Sequence, residues 1–143
     1  MDYLAAFAIS AAGMEVQRTR LDVAAVNIAN VNTTTSINGG PYVPFITVTK
    51  NKKSFFDGFE KLTQLNSIPQ ATVVQDANNV PRLVFEPAHP DANADGFVAY
   101  PGVDTVSEMV NLMTAVRSYE ANVVALNAAK SMALKAIDIG SGS

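Results

Sequence analysis

At 143 residues the chain has the size of one ordinary domain, and 48% hydrophobic content is enough to build a core. A net charge of −3 provides no basic stripe to neutralise phosphates, so nucleic acid is not an expected partner. The absence of cysteine removes disulfides, thiolate metal sites and cysteine nucleophiles.

The run from Tyr3 to Ala12 is short and mostly apolar, with Asp2 where a signal peptide carries positive charge. It passes into a helical pattern without a cleavage site and falls far short of the ~20 apolar residues of a membrane span. No cleaved signal and no transmembrane helix are expected, so departure from the cytoplasm would need another export route. Residues 3 to 30 read as a long helix. Leu4, Phe7, Ala11, Met14, Leu21, Ala25 and Ile28 share one seam at three-four spacing, interrupted by Arg18. Gly13 weakens this helix by about 1 kcal/mol relative to Ala. Glu15, Arg18, Arg20 and Asp22 read as a solvated, charged side. Asn27, Asn30, Asn32 and the following threonines end the helix, because their side chains compete for backbone groups and Asn tolerates a left-handed C-cap. Asn38-Gly39-Gly40-Pro41 continues as a turn.

Tyr42 to Thr49 is β-branched and aromatic and reads as a strand, with Pro44 marking an edge or a bulge. Asn51-Lys52-Lys53 reads as a turn. Ser54 to Leu65 fits either a short helix carrying Phe55, Phe56, Phe59 and Leu62 or, given Gly58, a loop. Ala71–Val74 and Arg82–Phe85 are short strands joined by a segment of hairpin composition, Asp76 to Asn79. Pro87, His89, Pro90 and Pro101 bracket an irregular connection. Val103 to Ile139 then reads as one unbroken helix stopped by Gly140. Its seam is Met109, Leu112, Val116, Tyr119, Val123 and Leu126.

The fold class expected is mainly α with a small β-rich insert, the long terminal helices packing antiparallel as a coiled-coil-like pair. Residues 1–35 and 103–143 form the helical part and 36–102 the β-rich or irregular insert. Of the 37 residues from Val103 to Ile139, 22 are apolar, more than a single buried face uses. Ala125, Ala128, Ala129, Met132 and Ala136 make a small-residue face beside the Val123, Leu126, Ala133 and Ile137 seam. One partner helix covers one seam, so two faces point to neighbours from other copies, and contacts between different patches build rings or filaments.

No motif supports catalysis, and no cofactor or metal site is expected. Asp91, Asn93, Asp95 and Gly96 match the opening of a calcium loop, but position twelve is Gly102 and prolines flank the run, so a polar turn is the expectation. His89 is the only histidine and reads as a loop residue. An autonomous helical adaptor stays open as an alternative on these grounds.

Ile9-Ser-Ala-Ala-Gly-Met14, Gln17-Arg-Thr-Arg-Leu21 and Asn27-Ile-Ala-Asn-Val-Asn-Thr33 resemble the N-terminal signature of the bacterial flagellar rod and hook proteins. The resemblance continues in Pro81 to Pro90, Asp95-Gly-Phe-Val-Ala-Tyr-Pro101, Val106-Ser-Glu-Met-Val110, Ser118-Tyr-Glu-Ala-Asn122 and the stretch from Leu126 to Gly140. The Pro-rich centre and the lack of a large extra domain resemble the proximal rod members, of which there are two sister types. The resemblance implies a structural subunit of the flagellar basal body, in the part of the rod that lies in the periplasmic space. Terminal helices would pack into its inner tube and the rod would pass torque from motor to hook. It implies export by the flagellar type III apparatus without a cleaved signal. The implied partners are other copies, other rod proteins and the surrounding ring. Asn27, Asn30 and Asn32 would set the exit of the N-terminal helix. Leu4, Phe7, Met14, Leu21 and Ile28 would serve assembly on that helix, and Met109, Leu112, Val116, Tyr119, Val123, Leu126, Met132 and Ile137 on the C-terminal one.

Overall fold

The computed structural model describes residues 3–36, 39–52 and 68–141. Two helices, α1 (Tyr3–Ala29) and α2 (Thr105–Ser141), flank four strands, β1 (Phe45–Lys52), β2 (Ile68–Gln75), β3 (Arg82–Phe85) and β4 (Phe97–Tyr100). The helices take up close to half of the chain. No helix among the described residues is long and apolar enough to cross a membrane.

α1 is Ala-rich and free of proline, which favours a helix over its 27 residues. It ends by side-chain bonding and not by a left-handed cap. Asn30 Nδ2 donates to the Val26 carbonyl at 2.9 Å and Thr33 Oγ1 donates to Asn30 Oδ1 at 3.2 Å. Among the described residues only glycines take positive φ, so the expected left-handed Asn is corrected. Gly39 (φ 79°) and Gly40 (φ 78°) make the following turn, with Ser36 N donating to the Gly40 carbonyl at 2.7 Å.

α2 begins two residues later than its apolar pattern suggests, because Asp104 caps it. Val106 N donates to Asp104 Oδ1 at 3.2 Å, and the Ser107 hydroxyl makes a short bond to Asp104 Oδ2. The Ser107 hydroxyl, then the Val106 N–H, hold the Asp104 carboxyl below the ordinary aspartate range. Gly140 does not stop the helix, which continues to Ser141.

The strands pair as two separate two-stranded sheets, β1 with β2 and β3 with β4. The expected hairpin between β2 and β3 is therefore corrected: Asp76 to Asn79 forms a turn between sheets. There Asp76 N donates to the Pro44 carbonyl at 2.9 Å, and Asn79 bonds the Gly102 backbone at both its N–H and its carbonyl. β1 runs through Lys52, where a turn was expected, and Ser54–Leu65 lies outside the described residues. β4 is an added element, antiparallel to β3 in the register Arg82↔Tyr100, Leu83↔Ala99, Val84↔Val98 and Phe85↔Phe97.

The chain forms two compact units. One comprises Met1–Thr19, Val48–Thr72 and Thr114–Ser143; the other comprises Arg20–Thr47 and Val73–Met113. The first buries Val16, Ala115 and Ala129, and the second buries Ala24, Asn27 and Val98.

Candidate assembly surfaces

The second unit is organised on Asn27, which is 1% exposed. A carboxamide has two N–H donors and two acceptor lone pairs, and here all four are used. Nδ2 donates to the Phe45 carbonyl at 2.8 Å and to Glu108 Oε1 at 3.4 Å. Oδ1 accepts from Phe45 N and from the Tyr42 hydroxyl, both at 2.9 Å. Asn27 thus presents to Phe45 the donor and acceptor that a neighbouring strand would present. It ties the end of α1, the entry to β1 and the first turn of α2 into one knot. Burial, then the Glu108 carboxylate, push the Tyr42 phenol above its ordinary value, against the opposing effect of its bond at Phe45.

In the first unit Gly13 lies against Asn122. A Cβ added there would lie 2.9 Å from Asn122 Nδ2, so only glycine lets the two helices approach this closely without displacement. The buried line on α2 mixes small, polar and leucine residues. Glu108, Ala115, Asn122 and Ala129 recur every seven residues, with Leu112 and Leu126 between them and Ala133 beyond, all buried or half-buried. This line shares Leu112 and Leu126 with the expected apolar seam, whose Met109, Val116 and Tyr119 lie outside it.

The expected assembly residues separate by exposure. On α1, Phe7, Met14, Leu21 and Ile28 are half-buried, Asn30 is half-buried in its capping bonds and Asn32 is exposed; Leu4 lies in the first turn. On α2, Leu112, Val123 and Leu126 are half-buried, while Met109 (51%), Val116, Tyr119, Met132 (53%) and Ile137 (66%) are exposed. Apolar spacing could not reveal Asn27 as a hub, Glu108 as its partner, or the Gly13–Asn122 approach, since none of these side chains is apolar. The heptad recurrence of Glu108, Ala115, Asn122 and Ala129 is the signal that could have found the line.

The second unit also has an open polar hollow lined by Asn32, Arg82, Val84, Glu86, His89 and Tyr100. Tyr100 donates to Glu86 Oε2 at 3.0 Å, and the Arg82 guanidinium sits 5.7 Å from the Tyr100 ring centre. The bond to Glu86 raises the Tyr100 phenol above its ordinary value. The Asp91–Asp95 run is a turn that uses its own oxygens. Asn93 Oδ1 accepts from Asp95 N and Phe97 N at 3.0 and 2.8 Å, and Asp91 Oδ2 accepts from Thr34 Oγ1 at 2.6 Å.

Two family models match the chain: "Flagella basal body rod protein" over residues 7–35 and "Flagellar basal body rod FlgEFG protein C-terminal" over residues 94–139. Three relatives carry the name "Flagellar basal-body rod protein FlgC". The Bacillus subtilis protein is 37% identical, covering 92% of this chain and 94% of the relative. The Salmonella typhimurium protein is 38% identical, covering 98% and 99%. The Borreliella burgdorferi protein is 33% identical, covering 94% and 95%. With end-to-end identity at this level, and the matched models falling on α1 and on β4 with α2, the chain belongs to the FlgC family of flagellar basal-body rod proteins.

Proposed function

We propose that this chain is a structural subunit that polymerises in the proximal rod of the flagellar basal body through its terminal helices and passes torque along the rod to the hook. The observation that carries this is the run of large apolar side chains left uncovered along α2. Leu112, Ala115, Leu126 and Ala129 are covered within the chain, while Met109, Val116, Tyr119, Met132 and Ile137 stay exposed on more than one side of the helix. A solitary soluble helix rarely leaves so much apolar surface uncovered, and neighbouring subunits would cover it.

Residues 1–35 and 103–143 form the helical part and 36–102 the insert, with α1 and α2 running antiparallel as a coiled-coil-like pair. Two contacts support that direction, each within one unit: Gly13 meets Asn122, and Asn27 meets Glu108. Phe7, Met14, Leu21, Ile28, Leu112, Val123 and Leu126 pack the pair, and Leu4 belongs to the same assembly helix. Asn27, Asn30 and Asn32 fix how the chain leaves α1. The subunit reaches the periplasmic rod through the flagellar type III apparatus without a cleaved signal. There it meets other copies, other rod proteins and the surrounding ring.

Leu126→Asp places a charge in this packing, and removal of residues 126–143 deletes the end of α2. Either change is expected to abolish rod assembly, read as loss of the chain from purified basal bodies, and to abolish swimming. A strain carrying either change that swims normally overturns the reading.

A further inference from the structure

The β3–β4 hairpin has two unlike faces. Alternation along the strands puts Val84 and its partner Val98 on one face, and Val98 is fully buried, so that face turns inward. Leu83, Phe85, Phe97 and Ala99 occupy the opposite face. Leu83 is 64% and Phe85 63% exposed, and Phe97 is exposed beside them. None of these four residues is charged, although an exposed sheet usually carries charge to prevent association. The surface is also shaped in advance. The Phe85 and Phe97 rings meet edge to face at 5.3 Å, and Phe85 packs so closely on Gly96 that a Cβ there would come within 2.9 Å of the ring.

The same unit carries a second exposed apolar feature. Val106, Met109 and Met113 stand at positions i, i+3 and i+7 of α2, on one stripe, and are 69%, 51% and 55% exposed. Glu108 and Leu112 fall on the covered side of the helix.

We propose that the outer face of the β3–β4 hairpin of one copy receives the Val106, Met109 and Met113 stripe of a second copy. This rests on the reading of the chain as a polymerising rod subunit. The chemistry matches: a flat, preordered aromatic and leucine surface meets two methionines, whose flexible thioethers adapt to aromatic rings. The two patches are different and lie on one unit, so the contact is heterologous and can repeat from copy to copy around a ring or along a filament. Size bears on the occupant. Each patch is made by only three or four partly exposed side chains, well short of the ~800 Å² per partner in a stable two-protein interface. Alone the contact dissociates. Between copies already held together by their helices it becomes effectively intramolecular, and a small patch is then sufficient.

The chain has no cysteine, so the contact can be tested by site-specific linkage. Leu83→Cys and Met109→Cys are introduced singly and together, basal bodies are purified, and a short bis-maleimide is added. Ladders of linked chains are expected from the double variant and only monomers from either single variant. An incorporated double variant that stays monomeric overturns the inference, as does self-linkage of the Leu83→Cys variant. Absence of the unmodified chain from basal bodies would instead overturn the rod-subunit reading. A charge pair guards against variants that fail to incorporate. Phe85→Glu and Met109→Lys are each expected to lower incorporation, and their combination to restore it. Failure of the combination to restore incorporation overturns the inference.

Discussion

Asn27 holds backbone and side-chain groups from three segments, so its loss reaches beyond one contact. Asn27→Ala would leave the Phe45 N–H and carbonyl and the Tyr42 hydroxyl without their partner. At ~1–3 kcal/mol for each buried group left unsatisfied, partly relieved by water entry, a loss of about 3 kcal/mol is expected, read as a lowered urea midpoint. Asn30→Ala removes bonds at a more exposed helix end and is expected to cost about 1 kcal/mol or less. Gly13 sets two effects against each other. Gly13→Ala gains about 1 kcal/mol of helix propensity, but its Cβ would sit 2.9 Å from Asn122 Nδ2. A near-neutral thermal midpoint is expected for Gly13→Ala. A clear loss is expected for Gly13→Leu, whose bulk the neighbouring helix cannot accommodate. Asp104 gives a pH signature. Its folded pKa is lowered, so it stabilises the start of α2 above the ordinary aspartate value, and that contribution disappears as pH falls through the folded value. Circular dichroism of Asp104→Ala should therefore show reduced helix stability at neutral pH and convergence with the unmodified chain in acid.

At the scale of elements, the helices were legible because long proline-free stretches rich in Ala, Leu, Val and Met favour helix over any alternative. Their packing line was legible only in part. Hydrophobic spacing finds Leu112 and Leu126 but passes over Ala115, Ala129, Asn122 and Glu108 beside them, and over Gly13, which meets Asn122. Met109 and Val116 lie outside that line and stay exposed. The strand Arg82–Phe85 was legible from its β-branched and aromatic content. Its partner was not, because Phe97–Tyr100 sits directly between Gly96 and Pro101, whose turn chemistry reads as an irregular connection. The turn chemistry at Asp76 to Asn79 suggested the wrong pairing, and the β3–β4 connection runs instead through the prolines around His89. Gly96 closes that connection at φ 80° against the Phe85 ring. Gly96→Ala should cost about 1–2 kcal/mol from the backbone alone, and more from the ring. It should appear as faster hydrogen exchange at the β3 and β4 amides, with the end of α2 unchanged. The polar-turn reading of Asp91 to Asp95 followed from its Asx chemistry, which the Asn93 bonds now account for.

For the molecule as a whole, a net charge of only −3 and extensive exposed apolar surface make association a matter of burial more than of ion pairing. Sulfate salts strengthen apolar burial and screen what repulsion exists. Sedimentation of the isolated chain should therefore shift toward larger species as ammonium sulfate rises, whereas an ion-pair-driven assembly would disperse. The two compact units are also nested along the polypeptide. A single stretch from Arg20 to Met113 contains every residue of the second unit, whereas the first needs Met1–Thr19 and Thr114–Ser143 together. When a chain folds from its N-terminus, the second unit can close once Met113 is free, whereas the first must wait for Thr114–Ser143. Folding in that direction would leave one half waiting on the tail, and incomplete closure would be confined to the half that holds most of α2.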